Sequence, residues 1–308
     1  AFKLPNLFRR LFAEGSMNSA FIPVVSGVRE KMGKIEADQF FSKIFSILII
    51  FLFFFVILLE IFAPLVISLI APGFSEDALK KELTVDFARL TFPFLLFICA
   101  TSLIGAYLNT LGKFASMALT PVILNLTIIT CLVIFFKNTD QTFITYYLSL
   151  SISIAGIIQL VWMLYNLKRN KVSLNVFGLN KNKFRKPTNK FLKLLVPAIL
   201  GNGVYQLNLL IDMILASTLA HGSISFLYYA DRVNQLPLGV LGIAISTALL
   251  PILSKYVKKK DNVNITKSIS SALKYGLLFS LPAFLGIFIL SDEIVTFLFY
   301  RGQFDLFD

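Results

Sequence analysis

Long apolar runs alternate with short polar intervals along this chain, and the runs are long enough to cross a membrane. Ile44–Leu59 reads IFSILIIFLFFFVILL, without a single charged residue. A helix needs about 20 apolar residues to traverse the hydrocarbon core. Spans of that order fall at Ala1–Gly27, Ile44–Ile70, Phe87–Leu111, Phe114–Phe136, Phe143–Leu167, Leu194–Ala220, Ile224–Lys255 and Ser271–Phe299. The last two are long enough to tilt, or to run on into water at one end. The pattern predicts an all-α integral membrane protein, a polytopic bundle of eight spans.

Composition strengthens that reading. Apolar residues make up 56% of the 308, charged residues 15%, and 32 are Phe. A soluble domain carries roughly 25% charged residues, so a soluble helical protein is a poor fit. The net charge of +12 raises a nucleic-acid partner, which its distribution argues against. With loops assigned to alternate sides, the set at 28–43, 112–113, 168–193 and 255–267 holds nineteen Lys and Arg. The set at 72–90, 137–142, 221–223 and 300–308 holds five. That is the positive-inside bias, and it assigns the first set to the cytoplasm. The charge reports topology, with attraction to anionic membrane lipids as a secondary effect.

The 168–193 stretch, KRNKVSLNVFGLNKNKFRKPTNKFLK, has nine basic residues and no acidic one. It is expected to be a cytoplasmic linker, with Pro187 as a helix breaker. It divides the chain into a first lobe at 1–167 with five spans and a partial second lobe at 194–308 with three. Internal similarity points the same way. Ala20–Ser26 (AFIPVVS) and Ala248–Ser254 (ALLPILS) share Ala, two apolar residues, Pro, two apolar residues and Ser. GFSE at Gly73 is echoed by GQFD at Gly302 at nearly the same offset. An even number of spans separates the members of each pair, so the lobes run parallel, a common transporter plan with the site between the repeats. The chain opens inside a span without an initiator Met or a cleavable signal peptide, and it stops just after another span. It is therefore expected to be incomplete at both ends.

Little enzyme chemistry is available. Cys99 and Cys131 each lie within a span without metal spacing, and His221 is the only histidine. Neither a Ser-His-Asp site nor a His-built metal site can be assembled, and no P-loop or HExxH occurs. No catalytic residue, metal or cofactor is expected. The informative residues are charges inside apolar segments, where a guanidinium costs about 2.5 kcal/mol or more. At 100° per residue, Lys3, Arg10 and Glu14 share one face of the first span, and Arg10 and Glu14 are four apart, as in a self-neutralising structural pair. Arg9 points about 100° away, with no acidic residue three or four positions off, and is the better candidate for an external ligand. Arg232 lies in a second such segment with Gln235 one turn on and Asp231 adjoining. Pro237 is expected to open the helix just past it. Arg grips phosphate bidentately, so Arg9 and Arg232 suggest an anionic substrate handled within the membrane. On the Leu194–Ala220 span, Asn202, Tyr205, Gln206, Asn208 and Asp212 form a polar sector expected to line the interior. Asp212 is open to three roles: pairing with an Arg, carrying a proton or binding a coupling cation. Trp162 fits an interfacial anchor, and Glu60 snorkels at the outer interface.

The stretch AFKLPNLFRRLFAEGSMNSAFIPV, with YYADRVNQLPLGVLGIAISTALLPILSK and the APGF after the second span, resembles the MurJ (MviN) lipid II flippases. These belong to the multidrug/oligosaccharidyl-lipid/polysaccharide exporter superfamily. The resemblance implies fourteen helices in two lobes around a V-shaped cationic cavity, the first span here being the family's second helix and the last its ninth. Arg9 matches the essential cavity arginine of that second helix, and Arg232 the one in the YADR motif of the eighth. The implied function is alternating-access flipping of undecaprenyl-diphosphate-linked peptidoglycan precursor across the bacterial inner membrane. Its partners would be the lipid-linked diphosphate and the surrounding lipids, and its drive a membrane potential or ion gradient. A related polysaccharide-lipid or multidrug exporter is the alternative, although an exporter of cations would favour acidic cavity residues.

Overall fold

The computed structural model describes residues 3–12, 16–135, 140–175, 183–220, 222–237 and 261–300, with isolated positions between 238 and 260. Among these, the regular structure is helical. In order the helices are α1 (Lys3–Phe12), α2 (Ser16–Met32), α3 (Lys34–Ile61), α4 (Ala63–Ile70), α5 (Ala78–Thr91), α6 (Pro93–Thr110), α7 (Ala115–Ala118), α8 (Thr120–Phe135), α9 (Gln141–Arg169), α10 (Arg185–Ser217), α11 (Ser223–Pro237), α12 (Asn262–Ile289) and α13 (Ser291–Phe299). A 3₁₀ turn, Pro72–Glu76, joins α4 to α5.

Six helical stretches have the length and apolarity to span a bilayer: Lys34–Ile61, Ala78–Thr110, Ala115–Phe135, Gln141–Arg169, Arg185–Ser217 and Asn262–Ile289. The other two expected spans coincide with α1 and α2, between which residues 13–15 are not described, and with α11 and the sparsely described stretch after it. The all-α polytopic class stands.

Several boundaries differ from the apolar runs, for physical reasons. α3 begins at Lys34 and α10 at Arg185, about ten residues ahead of the apolar segments. Hydropathy marks only the part of a helix that lies in lipid. Pro187, expected to break a helix, sits in the first turn of α10, where its missing N–H has no intrahelical acceptor to lose. Conversely, three apolar runs are interrupted. Breaks at Phe62, Phe92 and Leu119 lie one or two residues ahead of Pro64, Pro93 and Pro121, because proline disfavours helical backbone just before it. At the α2–α3 junction Gly33 takes φ 93°, a left-handed conformation open to glycine.

The chain forms two compact units, 1–218 and 219–308. In the first, α6 packs on α9, α3 and α2, α8 on α9, and α10 along α2 and α1. Its buried side chains make two clusters along the bundle. One gathers Phe21, Phe40, Phe41, Leu103, Tyr107, Phe184 and Phe191, with Tyr107 stacked on Phe41 at 4.4 Å between ring centroids. The other gathers Leu52, Leu59, Phe92, Phe94, Leu95 and Cys99. Ile50, Phe51, Phe53, Phe54, Ile57 and Leu58 of α3 are exposed, a lipid-facing surface that would be untenable in water.

The loops sort to the two ends as the charge alternation requires. Asp38, at the start of α3, is buried. It accepts from the Tyr107 hydroxyl and from Ser173 N at 3.3 Å. Ser42 Oγ donates to the Ser173 carbonyl at 3.3 Å and accepts from Asn175 N at 3.2 Å. Lys34 Nζ donates to the Lys171 carbonyl at 3.2 Å, and Lys183 pairs with Glu36 at 2.7 Å. The basic segments 28–43 and 168–193 therefore meet at one end. At the other, Gly73 N donates to Ser217 Oγ at 3.3 Å, and the Tyr146 hydroxyl donates to Asp86 at 2.7 Å.

In the second unit α11 packs on α12 and α12 on α13, and Tyr229 meets Phe299 at 4.8 Å. The repeat partners at 248–254 and 302–305 lie almost wholly outside the described residues.

Candidate functional site

Arg9 lies in α1, a ten-residue helix whose Leu4 and Pro5 are buried. α1 packs on α6 and α10 and touches α2. Phe8 adds an edge-to-face contact with Phe55 of α3 at 5.3 Å. These neighbours fix the phase of the helix. Arg9 and Arg10 are both half-buried. Arg9 Nε donates to Asn6 Oδ1 at 3.0 Å, one turn back, the direction in which long helical side chains lean. Glu14, the expected partner of Arg10, lies outside the described residues.

Arg232 lies in α11 on an exposed face. Its Nη2 donates to the Tyr228 hydroxyl at 2.6 Å, and its guanidinium carbon sits 4.8 Å from the centroid of that ring. Asp231 points to its own partner, accepting from Gln235 Nε2 at 2.5 Å. The i to i+4 spacing thus joins Arg232 to Tyr228 and Asp231 to Gln235, leaving Arg232 held by a neutral group. Pro237 is the last residue of α11.

The polar sector of α10 divides. Gln206 is buried at 7% exposure, whereas Asn208 and Asp212 are exposed on this chain. The side chains of Asn202 and Tyr205 are outside the described residues. Trp162, expected as an interfacial anchor, bonds within the bundle. Its indole N–H donates to the Ser116 carbonyl at 3.0 Å, Ser116 Oγ donates to Asn166 Oδ1 at 2.9 Å, and Gln159 Nε2 donates to the Thr120 carbonyl at 2.7 Å. The first and last of these bonds satisfy backbone carbonyls near the break between α7 and α8. Both cysteines are free thiols. Among the described residues no three His, Cys, Asp or Glu converge as a metal site would need.

Two neighbours of the arginines were not singled out from sequence. Asn6 and Tyr228 precede their arginines by three and four positions, a spacing that puts side chains on one helix face. Asn6 Oδ1 and the Tyr228 hydroxyl are each one contact of these arginines.

A family model described as lipid II flippase MurJ matches residues 1–308. A probable lipid II flippase MurJ of Rickettsia prowazekii is 42% identical over 307 residues, covering 99% of this chain and 58% of that protein. The counterpart in Rhizobium tropici is 38% identical, covering 99% and 57%. Among solved structures, a lipid II flippase MurJ in an inward closed conformation superposes with a TM-score of 0.79 at 30% identity, covering 99% of this chain and 61% of that one. An inward-facing multidrug exporter of the MATE family gives 0.77 at 15% identity, a likeness of fold alone. The chain spans about three fifths of the length of the curated relatives it matches.

Proposed function

The chain belongs to the MurJ lipid II flippase family, and on that premise we propose that it carries the substrate-gripping arginines of a flippase for undecaprenyl-diphosphate-linked peptidoglycan precursor. It is a multi-pass protein of the bacterial inner membrane, of a transporter family. The observation that carries the reading is Arg9: a guanidinium in an apolar, membrane-length segment, half-buried on a helix packed into the bundle. A cation kept in such a place calls for an anion, and the planar fork of Arg fits a diphosphate in two places at once.

In the mechanism that follows, Arg9 and Arg232 grip the diphosphate while the prenyl tail stays in lipid. Rocking of the lobes then carries the headgroup across. Flipping needs no bond chemistry, and the drive is a potential or ion gradient, with Asp212, Asn202, Gln206 and Asp231 as the polar groups available to a coupling cation or the cavity wall. Moving one charge through 100 mV supplies about 2.3 kcal/mol, enough to bias a modest conformational equilibrium. The lobe boundary at 168–193 belongs to the same proposal.

The test is complementation. In the full-length gene that encodes this sequence, Arg9→Ala and Arg232→Ala are expected to abolish rescue of a bacterium depleted of its lipid II flippase, at near-normal protein levels. Lys at either position should rescue partly, because an ammonium keeps the charge and loses the fork. Full rescue by both alanine variants would sink the reading.

A further inference from the structure

We propose that Tyr228 is a positioning residue for Arg232: its ring face and its hydroxyl together hold the guanidinium in one orientation before the substrate's diphosphate arrives. The inference rests on the reading above, in which Arg232 grips that group.

Two contacts of different kinds fix the guanidinium. Nη2 donates to the Tyr228 hydroxyl at 2.6 Å, and the guanidinium carbon lies 4.8 Å from the centroid of the same ring. A hydrogen bond alone would leave the guanidinium plane free to swing about it, and contact with the ring face limits that swing. The helix supplies the spacing. Tyr228 precedes Arg232 by four positions, and long helical side chains lean back toward the N-terminus. Arg232 is exposed on this chain, where a long side chain would otherwise sample many rotamers. Ordering it before binding removes part of the entropy lost when the ligand arrives. Neither contact brings a formal negative charge to the arginine. Asp231, one position back along α11, accepts instead from Gln235 Nε2 at 2.5 Å.

Tyr228 is itself supported. Its ring meets that of Tyr229 edge-on at 6.3 Å, and Tyr229 meets Phe299 of α13 at 4.8 Å. α11 packs on α12 and α12 on α13, so a row of three rings links Arg232 to α13 within one compact unit. An aromatic side chain has two torsions and makes a stiff support at low entropic cost. Leucine at position 228 would fill part of the same space and offer neither the ring face nor the hydroxyl. That difference separates a positioning role from simple packing.

The experiment measures binding of undecaprenyl diphosphate to the purified full-length protein in lipid nanodiscs, with melting temperature recorded for each variant. Tyr228→Leu is expected to weaken binding about fivefold, the scale of immobilising one flexible side chain, while melting near the wild-type temperature. Tyr228→Phe keeps the ring face and loses the hydroxyl, so it should recover part of that loss and bind about twofold more weakly than wild type. In the Arg232→Ala background, Tyr228→Leu should cause no further loss, because residues acting through one another are not additive. A packing role for Tyr228 would instead carry the same fivefold loss into that background. Wild-type binding by Tyr228→Leu, or fully additive losses in the double variant, would overturn the inference. Wild-type binding by Arg232→Ala would overturn the underlying assignment of Arg232 as a diphosphate grip.

Discussion

At the scale of single residues, the charges in apolar surroundings separate into those that build the protein and those proposed to meet a ligand. Asp38 is of the first kind. At 4% exposure it is a carboxylate that would be untenable without partners, and it has two, the Tyr107 hydroxyl and the Ser173 amide. Asp38→Ala removes the acceptor of a fully buried phenol and unties the start of the linker. It is expected to lower stability by about 1–3 kcal/mol, with faster proteolysis between residues 171 and 183. Tyr107→Phe keeps the stacking on Phe41 and should cost about 1 kcal/mol. Thermal unfolding and limited proteolysis of the two variants check the order; equal stability and equal cleavage would mean that Asp38 does not anchor the linker. None of this was legible in the sequence. Asp38 fell in a segment assigned to a cytoplasmic loop, and its partners are far away along the chain. Arg9 and Arg232 were legible because a charge within an apolar run stands out against its own neighbours. Asn6 and Tyr228 did not, because polar groups at helical spacing are common and only the side-chain geometry shows which of them meet.

At the scale of elements, hydropathy located the helices and misplaced their ends. It followed lipid immersion, so α3 and α10 begin about ten residues ahead of their apolar segments, and it passed through the breaks at Phe62, Phe92 and Leu119. The prolines just after those breaks carried the missing signal. Close approaches between elements were also hidden. A Cβ at Gly73, in the turn after α4, would lie 1.9 Å from the Ser217 carbonyl oxygen at the end of α10. That neighbour is backbone and cannot step aside. At Gly105 the obstruction is Met117 Sδ at 2.6 Å, the far part of a flexible side chain that can repack. Gly73→Ala is therefore expected to cost about 3 kcal/mol, at the upper end of overpacking, and Gly105→Ala about 1 kcal/mol. Melting temperatures of the two variants in one detergent test this; a Gly73→Ala protein as stable as Gly105→Ala would show that the contact between the 72–76 turn and α10 yields easily.

At the scale of the whole molecule, charge and contact lead to the same arrangement by independent routes. The count of Lys and Arg assigns loops to sides without knowing what touches what. The structure then brings 28–43 and 168–193 together through Asp38, Ser42, Lys34 and the Lys183–Glu36 pair, while Gly73 and Ser217 meet at the opposite end. An odd number of crossings between the paired segments would have made these contacts impossible, so the crossing count over residues 44–167 is constrained by geometry as well as by hydropathy. What contact cannot supply is polarity, because a bundle inverted in the bilayer keeps every hydrogen bond. The positive-inside bias supplies it. It predicts that a cysteine at Asn180 is labelled by an impermeant thiol reagent only when the cytoplasmic face is opened, and that one at Gly222 is labelled in intact spheroplasts. Asn180 lies in a polar stretch of the sequence; at Gly222, with φ 95°, a Cβ would meet the Phe226 ring at 2.8 Å, so the abundance of that variant is checked before labelling. Labelling of Gly222→Cys solely from the cytoplasmic side would reverse the topology and the charge count behind it.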